Sequence, residues 1–196
     1  VGTRVVGVSR LGKRIVFEFE AERFLVIHLM IAGRFRWFPA GARKKVPGRI
    51  ALVDLEFLTG TLLLTEAGTK RRASLHVIQG RDALAQFDRG GLEVLTASLD
   101  EFAERLARES HTLKRSLTDP RLFSGIGNAY SDEILHRARF SPLKLTRKLD
   151  HAEIARLFEC TTSSLLDWTQ RMRDERGSGF PEKVTAFREG MAVHGR

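Results

Sequence analysis

Short apolar runs separated by glycine-containing stretches dominate the first third of the chain. Ile15, Phe17 and Phe19 alternate with Arg, Val and Glu, which is typical of a strand with one face on a core, whereas the continuous run 24–27 indicates burial on both faces. Strands of this kind must bury their apolar faces against a second layer, so we predict an antiparallel β-sandwich. The predicted strands are 4–8, 14–20, 23–30, 34–38, 51–57 and 61–65.

The pattern changes to a helical period after the stretch 88–95, which has the composition of a linker. We place a domain boundary there and predict a β-sandwich domain over 1–90 and a helical domain over 91–196. Asp150 and Glu153 have the spacing of a capping box, which predicts the start of a long helix. The buried face of that helix is expected to carry Ile154, Leu157, Phe158, Leu165 and Met172. The chain as a whole is predicted to have an α+β fold.

Within the helical half, the stretch 122–133 contains two glycines one residue apart, Gly125 and Gly127, followed by Asn128 and a run of helix formers. Glycine permits a tight turn and a close approach of the backbone to a ligand. Asn128 is placed to cap a helix whose N-terminal N–H groups would receive a phosphate. We interpret the stretch as a phosphate-binding turn. For such a turn on its own, an ordinary connection between helices is the more frequent explanation.

Helical signals on both sides of the turn favour the functional interpretation. The segment 111–119 is predicted as a short helix, and the helix after the turn is expected to end before Pro142. In this order the segment resembles the helix-two-turn-helix motif of the formamidopyrimidine/endonuclease VIII family of DNA glycosylases. The resemblance covers Lys114, the stretch 122–133 and the following Ser-Pro pair. Asp132 and Glu133 are expected in the first turn of the second helix, where the helix dipole accounts for them.

The β-rich half carries a second part of the resemblance. The segment 10–15 is similar to the hairpin that bears a phosphate-binding lysine in the family, which would be Lys13 here. The segment 28–33 is similar to the family's His-Leu-Gly-Met-Ser-Gly sequence, which implies that His28 contacts the DNA backbone. Without the resemblance, we would interpret His28 as a histidine in a strand whose hydrogen bonds are made with a neighbouring group. The DNA contacts that the resemblance implies are Lys13, His28, Arg71, Gly125, Gly127, Asn128 and Tyr130.

Members of the family insert a methionine, an arginine and an aromatic side chain into the duplex where the damaged nucleotide is flipped out. The methionine position falls on Ile31, and Met30 replaces the family's glycine. The resemblance therefore implies a wedge formed by Met30 and Ile31. The arginine and aromatic positions fall within 70–73, which contains no aromatic residue, so the wedge is expected to differ from that of the commonest members. A solvated basic turn is the alternative for 70–73.

The resemblance also implies a bifunctional DNA glycosylase and AP lyase that removes oxidised bases through a Schiff base on an N-terminal proline. This chain begins with Val1, and 191–196 resembles the segment that leads into the family's four-cysteine zinc ribbon. We therefore expect a chain in which the nucleophile and the zinc ribbon are both missing. Lys114 matches a family lysine that projects toward the lesion; a phosphate contact or a surface charge is the alternative.

Composition agrees with a nucleic-acid partner. The net charge is +9, from 33 Lys and Arg against 24 Asp and Glu, which favours polyanion binding. The single cysteine, Cys160, excludes an internal disulfide and supplies too little sulfur for a thiolate zinc site. We expect no metal or cofactor within these residues. The resemblance implies a zinc ion only in the C-terminal ribbon, which is missing here.

We expect no signal peptide, and the sequence contains no apolar run as long as a membrane span. We expect a monomer in the cytoplasm, associated with the nucleoid through damaged double-stranded DNA. Two other functions fit the same fold, namely a non-catalytic DNA-binding module and a module that binds structured RNA.

Overall fold

The computed structural model describes residues 2–42, 46–177, 179–181 and 189–193. Two sheets are formed, with strand orders β1-β2-β3-β7 and β4-β6-β5. The pairs β2–β3, β3–β7, β4–β6 and β5–β6 are antiparallel. The strands are β1 (Val5–Leu11), β2 (Arg14–Phe19), β3 (Arg23–His28), β4 (Gly33–Pro39), β5 (Ala51–Phe57), β6 (Gly60–Glu66) and β7 (Ser74–Gln79).

Apolar side chains from the two sheets pack against each other, which confirms the predicted β-sandwich. Leu25 and Ile27 of the first sheet and Leu64 of the second are buried in one cluster. Phe17 and Phe35 join it with an edge-to-face contact, their ring centroids 6.4 Å apart. Such contacts between large apolar side chains are what hold two sheets together.

The burial of individual strands follows the sequence pattern in β3 and departs from it in β2. All residues of 24–27 are buried, as the continuous apolar run predicted. In β2, however, Val16 is only 2% exposed, although it lies on the face that the alternation assigned to solvent. Val16 is paired with Val26. The two valines form an apolar strip on the opposite face of the sheet, so the buried residue of β2 lies on that face, while Ile15, Phe17 and Phe19 are half-buried on the other.

Strand β7 was not predicted from the sequence. It pairs with β3 at the edge of the first sheet, and half of its residues are exposed. An edge strand buries little apolar surface, so its sequence carries only a weak periodic signal.

The second half of the chain is helical, as predicted. Phe102, Phe123 and Phe158 lie at its centre, with ring centroids 4.8 Å apart for the first two and 5.3 Å apart for Phe102 and Phe158. None of the helices in the described ranges is long and apolar enough to cross a bilayer. The helices are α1 (Arg81–Ala85), α2 (Leu99–Ala107), α3 (Leu113–Thr118), α4 (Asn128–Ala138) and α5 (His151–Arg176).

Reciprocal side-chain caps begin two of these helices. The Glu153 N–H donates to Asp150 Oδ1 over 2.8 Å, and the Asp150 N–H donates to the Glu153 carboxylate over 3.2 Å, which confirms the predicted start of α5. Ser98 and Glu101 form the equivalent capping box at α2. Hydrogen bonds from the backbone and side chain of Ser98 hold the pKa of the Glu101 carboxyl below its ordinary value.

The chain divides into two compact units, with the division between Arg81 and Asp82, a few residues before the expected linker. The first unit contains the strands except the tip of the β1–β2 hairpin. The second unit contains that tip, residues 11–13, together with 82–175 and the described segment 189–193.

Candidate nucleic-acid interface

The glycine turn before α4 has the backbone geometry that its sequence suggests. Gly125 has a φ of +80°, in the left-handed region, and Gly127 is extended with a φ of −113°. Gly127 is the N-cap, so the prediction that Asn128 caps the helix is wrong by one position. The Gly127 carbonyl accepts the first helical hydrogen bond, from the Ser131 N–H over 3.0 Å. Within the described residues, no side chain makes a capping hydrogen bond at this end of α4, and its first turn carries no acidic residue, so an anion there would interact favourably with the positive end of the helix dipole.

The hairpin lysine lies against this turn. Lys13 Nζ donates a hydrogen bond of 3.2 Å to the carbonyl of Ile126, which is 113 positions away in the chain. A Cβ on Gly127 would lie 3.7 Å from the same Nζ atom. The structure therefore brings together Lys13, Gly127 and Asn128, which the sequence placed on separate motifs.

The two glycines of the turn should respond differently to alanine. Gly125→Ala places a Cβ on left-handed backbone and should lower the free energy of unfolding by about 1–2 kcal/mol. Gly127→Ala adds a methyl group at an allowed φ, in ordinary van der Waals contact with Lys13, and should change stability by less than about 0.5 kcal/mol. Urea denaturation of the two variants measures the difference. Equal losses would contradict the assigned turn geometry.

Lys114 is ion-paired within the helical unit. Its Nζ lies 2.6 Å from Asp132 Oδ1, and the two side chains are 35% and 17% exposed. Asp132 is the fifth residue of α4, so the expectation that it lies in the first turn of the helix is wrong. It instead connects α4 to α3 and holds the Lys114 ammonium group. The lesion-facing role of Lys114 stays a prediction.

Glu133 is also beyond the first turn of α4, and its role is structural. Its carboxylate, 7% exposed, accepts hydrogen bonds of 2.8 Å from the N–H groups of Ala192 and Val193. Met191 beside them is buried against Trp168. The start of the segment that resembles the approach to the zinc ribbon is thus fixed on α4. Residues 194–196 of that segment lie outside the described residues.

Tyr130 packs within the helical unit. Its ring makes an edge-to-face contact with Trp168, the centroids 6.2 Å apart, and its hydroxyl lies 4.0 Å from the Met172 sulfur. The side chain is only partly buried. Packing therefore explains part of its environment, and the predicted DNA contact stays a prediction.

In the first unit, a short turn between β3 and β4 presents two apolar side chains. Met30 is 43% exposed and Ile31 is 79% exposed. His28 Nδ1 accepts a hydrogen bond of 2.9 Å from the Met30 N–H. The hydrogen-bond partner of His28 Nδ1 therefore lies in the turn that directly follows β3. A contact of His28 with DNA stays a prediction.

The basic loop 67–73 is fixed by a buried carboxylate that sequence reasoning missed. Glu66, 2% exposed, accepts hydrogen bonds from the N–H groups of Arg72 at 2.9 Å and Ala73 at 3.1 Å. Arg71 is exposed, and its guanidinium donates to the carbonyl of Arg49. The signal available in the sequence was an acidic residue at the end of an apolar run, directly before a basic loop.

Strand pairing places this basic loop next to the apolar turn. His28, which ends β3, is paired with Ser74 at the start of β7. Gly33, which begins β4, is paired with Glu66 at the end of β6. Both connections therefore leave the same end of the sandwich, which places the basic loop and the apolar turn at that end.

Two titratable groups outside these contacts have shifted pKa values. The side-chain hydrogen bond from Arg121 lowers the pKa of the Asp119 carboxyl, which follows α3. Burial raises the pKa of the Cys160 thiol, which disfavours the reactive thiolate. Within the described ranges, no group of three or more His, Cys, Asp or Glu residues could hold a metal ion.

Comparison with known protein families covers both halves of the chain. Residues 1–74 match the formamidopyrimidine-DNA glycosylase N-terminal domain, and residues 92–171 match the formamidopyrimidine-DNA glycosylase H2TH domain. A formamidopyrimidine-DNA glycosylase of Heliobacterium modesticaldum is 29% identical to the whole chain, which covers 72% of that relative. A formamidopyrimidine-DNA glycosylase of Thermus thermophilus is 30% identical to this chain. The match covers 97% of this chain and 73% of the length of that relative.

Solved structures with the same fold include DNA complexes. The Lactococcus lactis formamidopyrimidine-DNA glycosylase, non-covalently bound to DNA containing an AP site, has a TM-score of 0.76 and 26% identity; 89% of this chain and 69% of that chain are covered. A complex of the LlFpg protein with THF-DNA and an inhibitor has a TM-score of 0.76, and this chain spans 63% of its length. From the two matched domains and these similarities together, the chain belongs to the formamidopyrimidine-DNA glycosylase family.

Proposed function

We propose that this chain acts in base-excision repair as a DNA glycosylase and that it binds damaged duplex DNA. The observation that carries the proposal is the glycine turn, where Lys13 lies against the N-terminus of a helix that no described side chain caps. Membership of the family supports it, because a Lactococcus lactis relative is bound to AP-site DNA. The net charge of +9 favours the same partner.

The turn suits a phosphate for two physical reasons. Helix dipoles stabilise an anion at the N-terminus, and the backbone N–H groups there point toward it. The Lys13 ammonium group adds a full positive charge beside the same backbone, and Gly127 has no side chain to keep a ligand away. Asn128, the first residue of α4, adds an amide that can donate to a phosphate oxygen. These groups would bind the phosphates of the DNA backbone, whatever the base sequence.

The apolar turn in the first unit suits a different task. An exposed Ile31 and Met30, with Arg71 on the adjacent loop, combine apolar surface with cations, as in proteins that insert side chains between base steps. We assign these residues to the gap that forms when a damaged nucleotide leaves the stack. His28, whose Nδ1 atom fixes the turn, is assigned a backbone contact beside them.

The proposal also includes the chemical steps by which the damaged base is removed. An unblocked amine attacks the sugar carbon of the flipped nucleotide, the base leaves, and the resulting Schiff base promotes elimination of the neighbouring phosphate. In the family this amine is an N-terminal proline. The role of this chain's residues is to bind and orient the duplex, and Lys114, held by Asp132, is assigned to face the lesion. Borohydride trapping of a covalent DNA adduct tests the chemistry separately from binding.

Removing the Lys13 charge should weaken binding to all duplexes alike. Lys13→Met keeps the aliphatic stem but loses one phosphate contact, so the slope of log affinity against log salt should flatten by about one unit. Lys148→Met, which removes an exposed lysine of the same unit, is the matched control and should leave the slope unchanged. Fluorescence anisotropy at several salt concentrations measures both slopes. An unchanged slope for Lys13→Met would count against the phosphate-binding turn.

A further inference from the structure

We propose that the helical unit has a second anion site, a cavity that binds a small free oxyanion of the size of inorganic phosphate. The cavity has a volume of about 210 Å³ and lies between α4, α5 and the segment 189–193. The inference goes beyond the proposed function, because none of the residues assigned to DNA lines this cavity. It follows from the donors at the cavity, the charge of its arginines and its size.

Two of the lining donors are buried and have no partner among the described residues. Ser164 is 3% exposed and Trp168 is 7% exposed. Neither the Ser164 hydroxyl nor the Trp168 indole N–H makes a hydrogen bond within the described part of the chain. A buried donor costs free energy unless water or a ligand accepts its hydrogen bond. The cavity therefore presents two donors that an acceptor within it can satisfy.

Arg171 supplies positive charge at the same cavity. Its guanidinium lies over the Trp168 ring, 5.1 Å from the centroid, and makes no ion pair with a described residue. A Cβ on Gly190 would lie 3.4 Å from Arg171 Nη1, so the segment 189–193 passes close to the guanidinium. Since arginine has five N–H donors, this side chain can donate to a ligand while it stays stacked on the indole.

The two carboxylates at the cavity are already engaged by protein donors. Arg137 Nη1 donates to Asp167 Oδ2 over 2.6 Å. Glu133 accepts two hydrogen bonds of 2.8 Å from backbone N–H groups of the segment 189–193. Arg137 retains guanidinium N–H groups beyond the one in this pair, and His136 adds an imidazole to the lining. The groups left for a ligand are mainly donors, which favours an anion over a cation.

The volume of the cavity selects a small ligand. Pockets for drug-sized molecules measure about 300–1,000 Å³, so 210 Å³ suits an ion such as phosphate rather than a larger metabolite. The oxygens of a phosphate can accept hydrogen bonds from several directions at once, here from both helices. A bound oxyanion would connect α4 and α5 beside the segment 189–193, so it should stabilise the helical unit.

The test is a titration with inorganic phosphate at constant ionic strength, followed by Trp168 fluorescence in a Trp37→Phe background. Because Trp168 lines the cavity, its emission should change saturably, with half-saturation on the order of 1 mM. At about ten times that concentration, the Tm of the helical unit should rise by about 3–6 °C. Sodium chloride at the same ionic strength should cause neither effect. An equal response to chloride would overturn the proposal, since screening alone would explain it.

Variants of α5 locate the bound ion. Arg171→Gln removes the guanidinium on the indole and should weaken phosphate binding by about tenfold. Ser164→Ala removes a buried donor and should weaken it by about threefold. The matched control is Arg173→Gln, which changes an exposed arginine of the same helix outside the cavity and should stay within about twofold of wild type. If all three variants bound phosphate equally, the proposal would be wrong.

Further outcomes separate this inference from the proposed function. Lys13→Met should leave the phosphate titration unchanged, and Arg171→Gln should keep the affinity for a duplex that contains a tetrahydrofuran abasic analogue within about twofold. If Lys13→Met abolishes the phosphate response, the ion binds at the glycine turn and only the cavity site is overturned. The same holds if Arg171→Gln weakens the tetrahydrofuran duplex as much as Lys13→Met does. A chain that binds phosphate in the cavity but binds no duplex overturns only the proposed function.

Discussion

Phe123→Ala should lower the free energy of unfolding of the helical unit by about 3–5 kcal/mol, the range for a fully buried aromatic side chain. Phe123 has no exposed surface, and its ring contacts Phe102 with centroids 4.8 Å apart. The cavity would lie directly before the glycine turn, so DNA affinity should fall as well. The helical unit contains one of the two tryptophans, Trp168, whose fluorescence in a Trp37→Phe background reports its unfolding in urea.

The control is Leu143→Ala, a change to a residue of the same unit that is 77% exposed. It also removes apolar side-chain atoms but leaves no cavity, so stability should change by less than about 0.5 kcal/mol. A loss below about 1 kcal/mol for Phe123→Ala would show that the centre of the helical unit is packed differently.

Glu66→Ala should destabilise the β-sandwich unit by about 2–4 kcal/mol, because it removes a buried carboxylate and with it the hydrogen bonds that the N–H groups of Arg72 and Ala73 donate to it. Glu66→Gln retains one carbonyl acceptor and should cost about half as much. Unfolding in urea is followed by Trp37 fluorescence in a Trp168→Phe background.

Glu56→Ala is the matched control, since Glu56 is an exposed carboxylate on β5 of the same sheet. It should change stability by less than about 0.5 kcal/mol. If Glu66→Ala and Glu56→Ala behaved alike, the buried carboxylate would not be anchoring the basic loop.

The parts of the fold that the sequence predicts are those encoded by local patterns. The apolar run 24–27 and the reciprocal cap of Asp150 and Glu153 depend on neighbouring residues, so both could be predicted before any contact was known. Strand β7 could not, because an edge strand that is half exposed has little periodicity of its own. The sequence predicts Asn128 as the N-cap of α4, whereas the structure has Gly127. Either residue type can begin a helix, so only the backbone torsions decide between them.

The candidate site shows the same division. The resemblance predicted Lys13 and the glycine turn as separate DNA contacts, but 113 positions separate Lys13 from the carbonyl it contacts. Asp132 and Glu133 were assigned to the helix dipole, whereas the structure gives each a distant partner, 18 and 59 positions away for Lys114 and Ala192. Contacts between residues so far apart in the chain are set by tertiary packing, and local patterns in one sequence do not predict them.

The central claim is that the glycine turn and Lys13 together hold the backbone of damaged duplex DNA. The most direct measurement is the affinity of the chain for a tetrahydrofuran duplex, compared between wild type and the double variant Lys13→Met, Asn128→Ala. Two lost phosphate contacts should weaken binding by about 10-fold to 100-fold and flatten the salt dependence, with the fold intact by circular dichroism. A double variant that binds as tightly as wild type, with the same salt dependence, would contradict the claim.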